Sequence, residues 1–256
     1  MTGDIALSTK GLGVTYGKFV ALADMDLNIR RNSVHSIIGP NGAGKTTMFH
    51  ALTGRVMPSS GQVLLNGNDI TRLRDDERVR QGIARSFQVT SLFPTLTVQE
   101  NLRLAAQGKT PWQALAPWRR AEANRPAMST AAEVIERMNL TEVRGKPAGE
   151  LSHGQQRRLE VGMAMAAKPS VILMDEPTSG MGIEDIEEMK RLIRDLASDH
   201  TVLFIEHNMG IVMNISDMIT VMRLGRKLVE GTPTVVRDNE DVQRAYLGSM
   251  ITGDMV

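Results

Sequence analysis

Residues 39–46 have the composition and spacing of a loop that binds phosphate groups. They fit the pattern G-x-x-x-x-G-K-[ST]. Glycines allow backbone N–H groups to approach a phosphate closely, and a following helix adds the positive end of its dipole. In such a loop Lys45 reaches the β- and γ-phosphates, the Thr46 hydroxyl binds Mg²⁺, and Thr47 can also donate to a phosphate. The alternative is a glycine-rich turn in an unrelated α/β protein.

The flanks of this loop predict the strand, loop and helix order that the motif requires. Residues 34–38 form an apolar run that leads into the glycines. Residues 47–52 predict a helix, and Gly54 predicts its end. This context favours a phosphate site over an incidental turn.

Two carboxylates follow a second apolar run. Residues 171–174 read as a parallel strand buried on both faces, and Asp175 and Glu176 come directly after it. An aspartate in this position can support Mg²⁺, usually through water, and Glu176 can polarise an attacking water. Without the phosphate loop, the same pair could simply cap the following turn.

Two further polar residues follow predicted strands. Gln88 follows residues 83–87, and His207 follows residues 201–205 after Glu206. A lone histidine in such a place is more often structural. The carboxyl ends of parallel strands meet at the ligand crevice, so we expect Gln88, Asp175, Glu176 and His207 to lie near the phosphate loop.

A second helix start is also suited to anions. Ser152 is a good N-cap for the helix that runs to residue 167, and capping alone would explain it. A helix N-terminus can also hold a phosphate. Because the chain already has one phosphate loop, such a site makes sense if it serves a nucleotide held by another subunit.

The remaining pattern predicts two strands at 5–15 and 20–29, a hairpin turn at 66–67, and a charged, exposed helical segment at 69–80. Residues 95–150 contain helical patterns, interrupted by Pro111, Pro117 and Pro126, but no strand, which indicates a helical subdomain inserted between sheet strands. Closing strands at 218–222 and 227–229 precede a helix at 240–247.

Bulk properties exclude several classes of protein. Among 256 residues, 30 are Lys or Arg and 29 are Asp or Glu, so bulk charge draws neither nucleic acid nor an anionic membrane. There is no cysteine, and therefore no disulfide framework or thiol chemistry. No apolar run approaches a membrane span, so any membrane role is expected to come through a partner.

Three segments in this order (residues 39–47, 151–156 and 171–177) resemble an ATP-binding cassette (ABC) protein over nearly the whole chain. The Leu-Ser-x-Gly-Gln helix start at residue 151 separates this family from other phosphate-loop proteins. The resemblance implies an α/β fold: a phosphate-loop NTPase core (about 1–94 and 151–234) with an antiparallel β subdomain, an inserted helical subdomain (about 95–150), and a C-terminal helix and tail (235–256).

The resemblance also implies roles for individual residues. Tyr16 would stack on adenine, Gln88 would sense Mg²⁺ and couple to a membrane partner, Asp175 would support Mg²⁺, Glu176 would be the general base and His207 the switch histidine. The residues expected to bind phosphates and Mg²⁺ are Gly39, Asn41, Gly42, Gly44, Lys45, Thr46 and Thr47. Those expected to complete the site of a second cassette are Ser152, Gly154 and Gln155.

Two positions depart from the family pattern. His153 stands where glycine is commonest, and we expect it to point away from the phosphate with little effect. Gly182 stands where many relatives have Asp or Asn, which puts the cross-dimer contact of that loop in doubt.

Within the family, residues 91–102, 154–160 and 205–209 and the long loop with Trp112 and Trp118 resemble the branched-chain amino acid importer group, which also includes urea, amide and aromatic-acid importers. The resemblance implies an ATPase that uses ATP and Mg²⁺, a second cassette (identical or related), two transmembrane permease subunits and, indirectly, a periplasmic binding protein. It also implies a peripheral position on the cytoplasmic face of the inner membrane. The alternative is a soluble ABC ATPase in DNA repair or translation.

Overall fold

The structure is a computed structural model that describes residues 4–86, 92–107 and 125–251. Its strands are β1 (Ile5–Tyr16), β2 (Phe19–Arg30), β3 (Val34–Ile38), β4 (Ser60–Leu65), β5 (Asn68–Asp69), β6 (Ile83–Ser86), β7 (Val171–Asp175), β8 (Thr201–Ile205), β9 (Met218–Arg223) and β10 (Arg226–Gly231). Its helices are α1 (Lys45–Thr53), α2 (Asp75–Gln81), α3 (Val98–Gln107), α4 (Arg125–Arg137), α5 (His153–Ala166), α6 (Ile183–Leu196), α7 (Met209–Ile215), α8 (Pro233–Arg237) and α9 (Glu240–Ile251).

The larger sheet has the order β10-β9-β3-β8-β7-β6. Strands β9, β3, β8, β7 and β6 run parallel, and β10 pairs antiparallel with β9. Every residue of β3, β7 and β8 is buried, as expected for apolar strands that are covered on both faces. The carboxyl ends of β3, β6, β7 and β8 therefore lie along one edge.

The smaller sheet is antiparallel, with the order β2-β1-β4-β5. It joins the phosphate loop through the turn after β9, because the Ala23 amide donates to the Gly225 carbonyl (2.9 Å) and the Gly225 amide donates to the Ala43 carbonyl (3.0 Å). The apolar residues of this sheet and of α1 share one core cluster. The fold class is thus confirmed as α/β with an antiparallel β part.

Helices, short turns and one isolated β-bridge between Thr97 and Pro147, but no strand, occupy the described residues between β6 and β7. These two strands are nonetheless neighbours, with Ile83 opposite Val171. Helices α3, α4 and α5 pack around Leu102, Val134 and Leu159, which are buried in the second core cluster. The predicted helical block between sheet strands is therefore present in these residues.

The prediction of one exposed helix over 69–80 is wrong. Asp69 belongs to the hairpin strand β5, and the helix begins only at Asp75. Arg78 is fully buried and not exposed. Its guanidinium donates to backbone carbonyls at the end of α1, at 2.6 Å from Ala51 and 2.8 Å from Leu52. Helix ends leave such carbonyls unpaired, so a buried arginine satisfies them.

Other differences concern boundaries. Helix α4 begins at Arg125, ahead of the predicted start at 129, and α7 and α8 are not predicted by the sequence pattern. Strand β7 includes Asp175. Among the described residues, no helix is both long enough and apolar enough to cross a membrane.

Candidate functional site

The phosphate loop connects β3 to α1 and depends on glycine geometry. Gly39 has φ of 155°, and a Cβ there would overlap the carbonyl oxygen of Met222. Gly44 is the N-cap of α1 in a left-handed conformation (φ 98°), and a Cβ would lie 2.9 Å from the Ala21 carbonyl oxygen. Side chains are thus excluded where β9 and β2 approach the loop, and backbone N–H groups are available at the start of α1.

Lys45 lies inside this loop and is 6% exposed. Its Nζ donates to the carbonyls of Gly39 (2.6 Å) and Pro40 (3.1 Å). Burial lowers the pKa of the ammonium, and the carboxylates of Glu176 and Asp175 raise it. The cation of the loop and the two predicted acids therefore share one electrostatic environment.

Asp175 ends β7 with its side chain 3% exposed and forms an ion pair with Arg85 of β6. Arg85 Nη2 donates to Asp175 Oδ2 at 2.9 Å. Burial raises the pKa of Asp175, and the adjacent Arg85 partly offsets this by favouring the charged carboxylate. Sequence reasoning did not single out Arg85, although an arginine in an otherwise apolar strand signals a buried partner.

Glu176 and His207 are in direct contact. His207 Nε2 lies 2.6 Å from Glu176 Oε1, and the Glu176 amide donates to the Ile205 carbonyl at 3.0 Å. Glu176 has φ of 49°, a left-handed conformation that is unusual for a residue with a Cβ. The backbone therefore turns sharply at this carboxylate and brings it to the end of β8, where the histidine follows.

Glu206 is a second residue that sequence reasoning missed. It is 5% exposed. Its Oε1 accepts from the Thr178 amide (3.1 Å) and from the Thr178 hydroxyl, and its Oε2 accepts from the His207 amide (3.0 Å). One buried carboxylate thus ties the loop after Glu176 to the backbone of His207.

The start of α5 carries a reciprocal cap. The Gln155 amide donates to Ser152 Oγ (3.3 Å), and the Ser152 amide donates to Gln155 Oε1 (3.0 Å). A Cβ on Gly154 would overlap the Asp185 carboxylate, and His153 Cε1 lies 3.2 Å from the Cβ position of Gly180. This helix start therefore contacts the segment that follows Glu176 in the same chain.

The other predicted site residues are placed as follows. Tyr16 is 49% exposed at the tip of the β1–β2 hairpin, opposite Phe19. Asn41, Gly42 and Thr46 are exposed, and Thr47 is half-buried. Gly182 is the N-cap of α6 without a side-chain cap, where Asp or Asn would supply one. Gln88, Trp112 and Trp118 lie outside the described residues.

The donor set near the loop suits Mg²⁺. Thr46 offers a hydroxyl and Asp175 a carboxylate, which are oxygen ligands of the kind that Mg²⁺ prefers. Mg²⁺ usually takes few protein ligands and completes its shell with water and substrate phosphates. The described part of the chain contains no cluster of three or more His, Cys, Asp or Glu that could hold a metal ion.

Comparison with known proteins accounts for this arrangement. Residues 22–179, which include the phosphate loop and both strand-end acids, match the family model described as ABC transporter. The chain belongs to the ABC transporter family. Residues 226–250 also match the model described as Branched-chain amino acid ATP-binding cassette transporter. The predicted family is thus confirmed, and the chain is an ATP-binding subunit that couples ATP hydrolysis to transport.

Individual relatives support the same group within the family. The chain is 42% identical over 250 residues to the high-affinity branched-chain amino acid transport ATP-binding protein BraF of Pseudomonas aeruginosa, covering 94% of this chain and 97% of that one. It is 39% identical over 255 residues to LivG of Escherichia coli K12, with the same coverage. This ABC cassette is therefore of the branched-chain amino acid type.

Solved structures agree with the fold. The ADP conformation of MJ1267, an ATP-binding cassette of an ABC transporter, superposes with a TM-score of 0.86 at 30% identity, covering 95% of this chain and 99% of that one. The dimeric post-hydrolysis state of the cassette MJ0796, bound to ADP and Pi, superposes with a TM-score of 0.74 at 26% identity, covering 89% and 98%.

Proposed function

We propose that this ABC cassette hydrolyses ATP to drive the uptake of branched-chain amino acids. The observation that carries the catalytic part is the 2.6 Å contact between Glu176 and His207. The carboxylates of Glu176 and Asp175 also raise the pKa of Lys45 in the phosphate loop. The import of branched-chain amino acids is supported by the match of residues 226–250. Similarity over the whole chain distinguishes less well between transported molecules, because the lipopolysaccharide export protein LptB of Haemophilus influenzae is also 33% identical over 243 residues.

The proposed mechanism assigns one task to each side chain. The loop amides and Lys45 bind and orient the β- and γ-phosphates, and Tyr16 offers an exposed ring to adenine. Glu176 accepts the proton of the attacking water, while His207 holds the Glu176 carboxylate by its Nε2–H and faces the γ-phosphate side. Mg²⁺, held by Thr46 and Asp175, would neutralise charge on the phosphates when bound.

We also propose that the start of α5 completes the site of a second cassette. Ser152 and Gln155 cap a helix of 14 residues, which includes Gly154 in its first turn and whose N-terminus is suited to a phosphate. The dimeric MJ0796 structure is consistent with paired cassettes. The contacts of His153 and Gly154 with residues 180 and 185 would then link each chain's helix start to the loop after its own base.

The permease partner is proposed to dock in a groove between the ATPase core and the helical block. This groove has a cavity volume of about 340 Å³ and is lined by Thr53, Arg55, Val79, Arg85, Met163 and Ala164, among others. Its wall is mostly apolar, but Arg85 Nε and Nη1 are buried there without a hydrogen-bond partner among the described residues. The apolar wall suits an apolar helical segment of the partner.

With such a partner, the subunit would sit peripherally on the cytoplasmic face of the inner membrane. The division proposed for the chain is an ATPase core of residues 1–94 and 151–234, a helical subdomain of 95–150, and a C-terminal part of 235–256. The role proposed for Gln88, sensing Mg²⁺ and coupling to the membrane partner, rests on the family resemblance alone.

Replacing Glu176 tests the catalytic proposal. Glu176→Gln removes the proton acceptor but keeps the shape, so ATP should still bind while turnover falls by about 10²- to 10⁴-fold. ATP hydrolysis and nucleotide affinity would be measured side by side, with Glu187→Gln as the control because Glu187 is 56% exposed on α6. Turnover like that of the parent protein in Glu176→Gln would remove Glu176 from the role of base.

Replacing a groove residue tests the partner proposal. Val79 is 39% exposed and lines the groove, so Val79→Asp should prevent co-purification of the permease subunits without changing nucleotide affinity. Val235→Asp is the matched control, because Val235 is 54% exposed on α8, away from the groove. Permeases retained by Val79→Asp would contradict docking at this groove. Uptake of radiolabelled leucine by the reconstituted complex would test the solute.

A further inference from the structure

Arg85 is a buried charged side chain beside the nucleotide site that the proposed mechanism does not use. Its side chain is 7% exposed, and Nη2 donates to Asp175 Oδ2 at 2.9 Å. The two residues lie on neighbouring parallel strands, with Arg85 opposite Leu173, so that Asp175 is two residues beyond the partner of Arg85. The ion pair therefore joins the ends of β6 and β7 at the edge of the sheet that carries the site.

The other two guanidinium nitrogens of Arg85 make no hydrogen bond within the described part of the chain that would stabilise the fold. Nε and Nη1 are buried, and neither has a hydrogen-bond partner among the described residues. Each unpaired buried donor destabilises a fold, and well-packed apolar residues often replace buried ion pairs without loss. A buried arginine in β6 under these conditions points to a task other than holding the sheet together.

The surroundings of Asp175 indicate what that task is. Arg85 occupies Oδ2 and leaves Oδ1 without a hydrogen bond to any residue that the structure describes. The hydrogen bond and ion pair at Oδ2 restrict rotation of the carboxylate and so limit the directions in which Oδ1 can point. Residues that orient a metal ligand through a hydrogen bond commonly matter as much as the ligand itself.

We propose that Arg85 is a positioning residue, which fixes the Asp175 carboxylate so that Oδ1 is presented to the water shell of nucleotide-bound Mg²⁺. This inference rests on the proposed role of Asp175. Arg85 also lines the groove assigned to the permease. The same side chain therefore contacts the Mg²⁺ ligand at one end and the docking surface at the other.

The test measures how much Mg²⁺ contributes to nucleotide binding. The dissociation constant for ADP is determined by calorimetry in excess Mg²⁺ and again in EDTA. The value in EDTA divided by the value in Mg²⁺ gives the contribution of the metal to binding. Arg85→Met should reduce this ratio about 10- to 100-fold and leave the EDTA value unchanged. Arg85→Lys, which keeps the charge but loses the planar fork, should restore part of the ratio.

Two controls make the outcome decisive. Arg80→Met removes the same charge from the surface of α2, where Arg80 is 54% exposed, and should leave both constants unchanged. Asp175→Asn should reduce the ratio at least as much as Arg85→Met. Arg85→Gln gives the same test if Arg85→Met does not fold, because glutamine also removes the charge and is too short to keep the Arg85 contact with Asp175, while its amide leaves a polar group in the site.

Three results would overturn the inference. If Asp175→Asn lowers the ratio and the neutral Arg85 variants do not, Asp175 supports the metal without Arg85. If Arg85→Met or Arg85→Gln weakens binding equally in Mg²⁺ and in EDTA, Arg85 is structural. If Asp175→Asn leaves the ratio unchanged, the proposed role of Asp175 fails, and the inference fails with it.

Discussion

His35 should make the stability of the cassette depend on pH. It lies in β3, directly before the phosphate loop, and is 1% exposed. Its Nε2 is 2.8 Å from Thr220 Oγ1, which in turn donates to Glu230 Oε2 at 3.0 Å. Burial lowers the pKa of His35 from 6.5 to about 4, with Glu230 opposing the shift and Lys227 adding to it.

The direction and size of the effect follow from these pKa values. In the unfolded chain the imidazole takes up a proton as pH falls through 6.5, whereas in the folded protein it stays neutral until about pH 4. The unfolded state is therefore favoured progressively over this interval. A difference of 6.5 − 4, about 2.5 units, at about 1.4 kcal/mol per unit removes about 3 kcal/mol of the unfolding free energy between pH 7 and pH 4.

The perturbation is His35→Gln, which can keep a hydrogen bond to Thr220 but cannot titrate. Unfolding free energies are measured in urea at several pH values, and the variant is compared with the parent protein so that all other groups cancel. The difference should favour the variant by about 3 kcal/mol more at pH 4 than at pH 7. His153→Gln, at an exposed position, is the control. Parallel pH curves for His35→Gln and the parent protein would refute the reasoning.

Two other substitutions test contacts near the site. Gly154→Ala places a Cβ against the Asp185 carboxylate, which would displace the start of α5 and should lower ATP turnover by about 10²-fold. The double variant Gly154→Ala/Asp185→Gly removes the overlap, so its failure to recover activity would show that steric overlap is not the cause. Glu206→Gln cannot accept from both Thr178 and the His207 amide, so it should lower kcat with little change in nucleotide affinity and reduce stability by about 1–3 kcal/mol. An unchanged kcat in that variant would show that the carboxylate does not position the site.

The sequence predicts well those parts of the fold that depend on local pattern. Strand β3, the phosphate loop and the strands before Asp175 and His207 all follow from apolar runs with polar residues at their ends. Parallel sheets place such ends together by geometry. The proximity of Lys45, Asp175 and Glu176 could therefore be predicted without any knowledge of distances.

Contacts across long stretches of chain could not be predicted in this way. Arg78 contacts carbonyls 26 and 27 residues earlier, and Arg85 pairs with Asp175 across 90 residues. In the local pattern Arg78 belongs to a charged, apparently exposed segment, and only packing against α1 shows why it is buried. Similarly, the approach of Asp185 to Gly154 depends on how α5 and α6 pack, which neither helix encodes alone.

The left-handed backbone conformation of Glu176 has a consequence for directed evolution of this protein. A residue with a Cβ in this conformation destabilises the fold by about 1–3 kcal/mol, which glycine and, in part, asparagine would relieve. Variants at this position are therefore expected to gain thermal stability as they lose turnover. A library selected for heat resistance alone would discard the glutamate, so retention of Glu176 requires that growth on the transported solute be part of the selection.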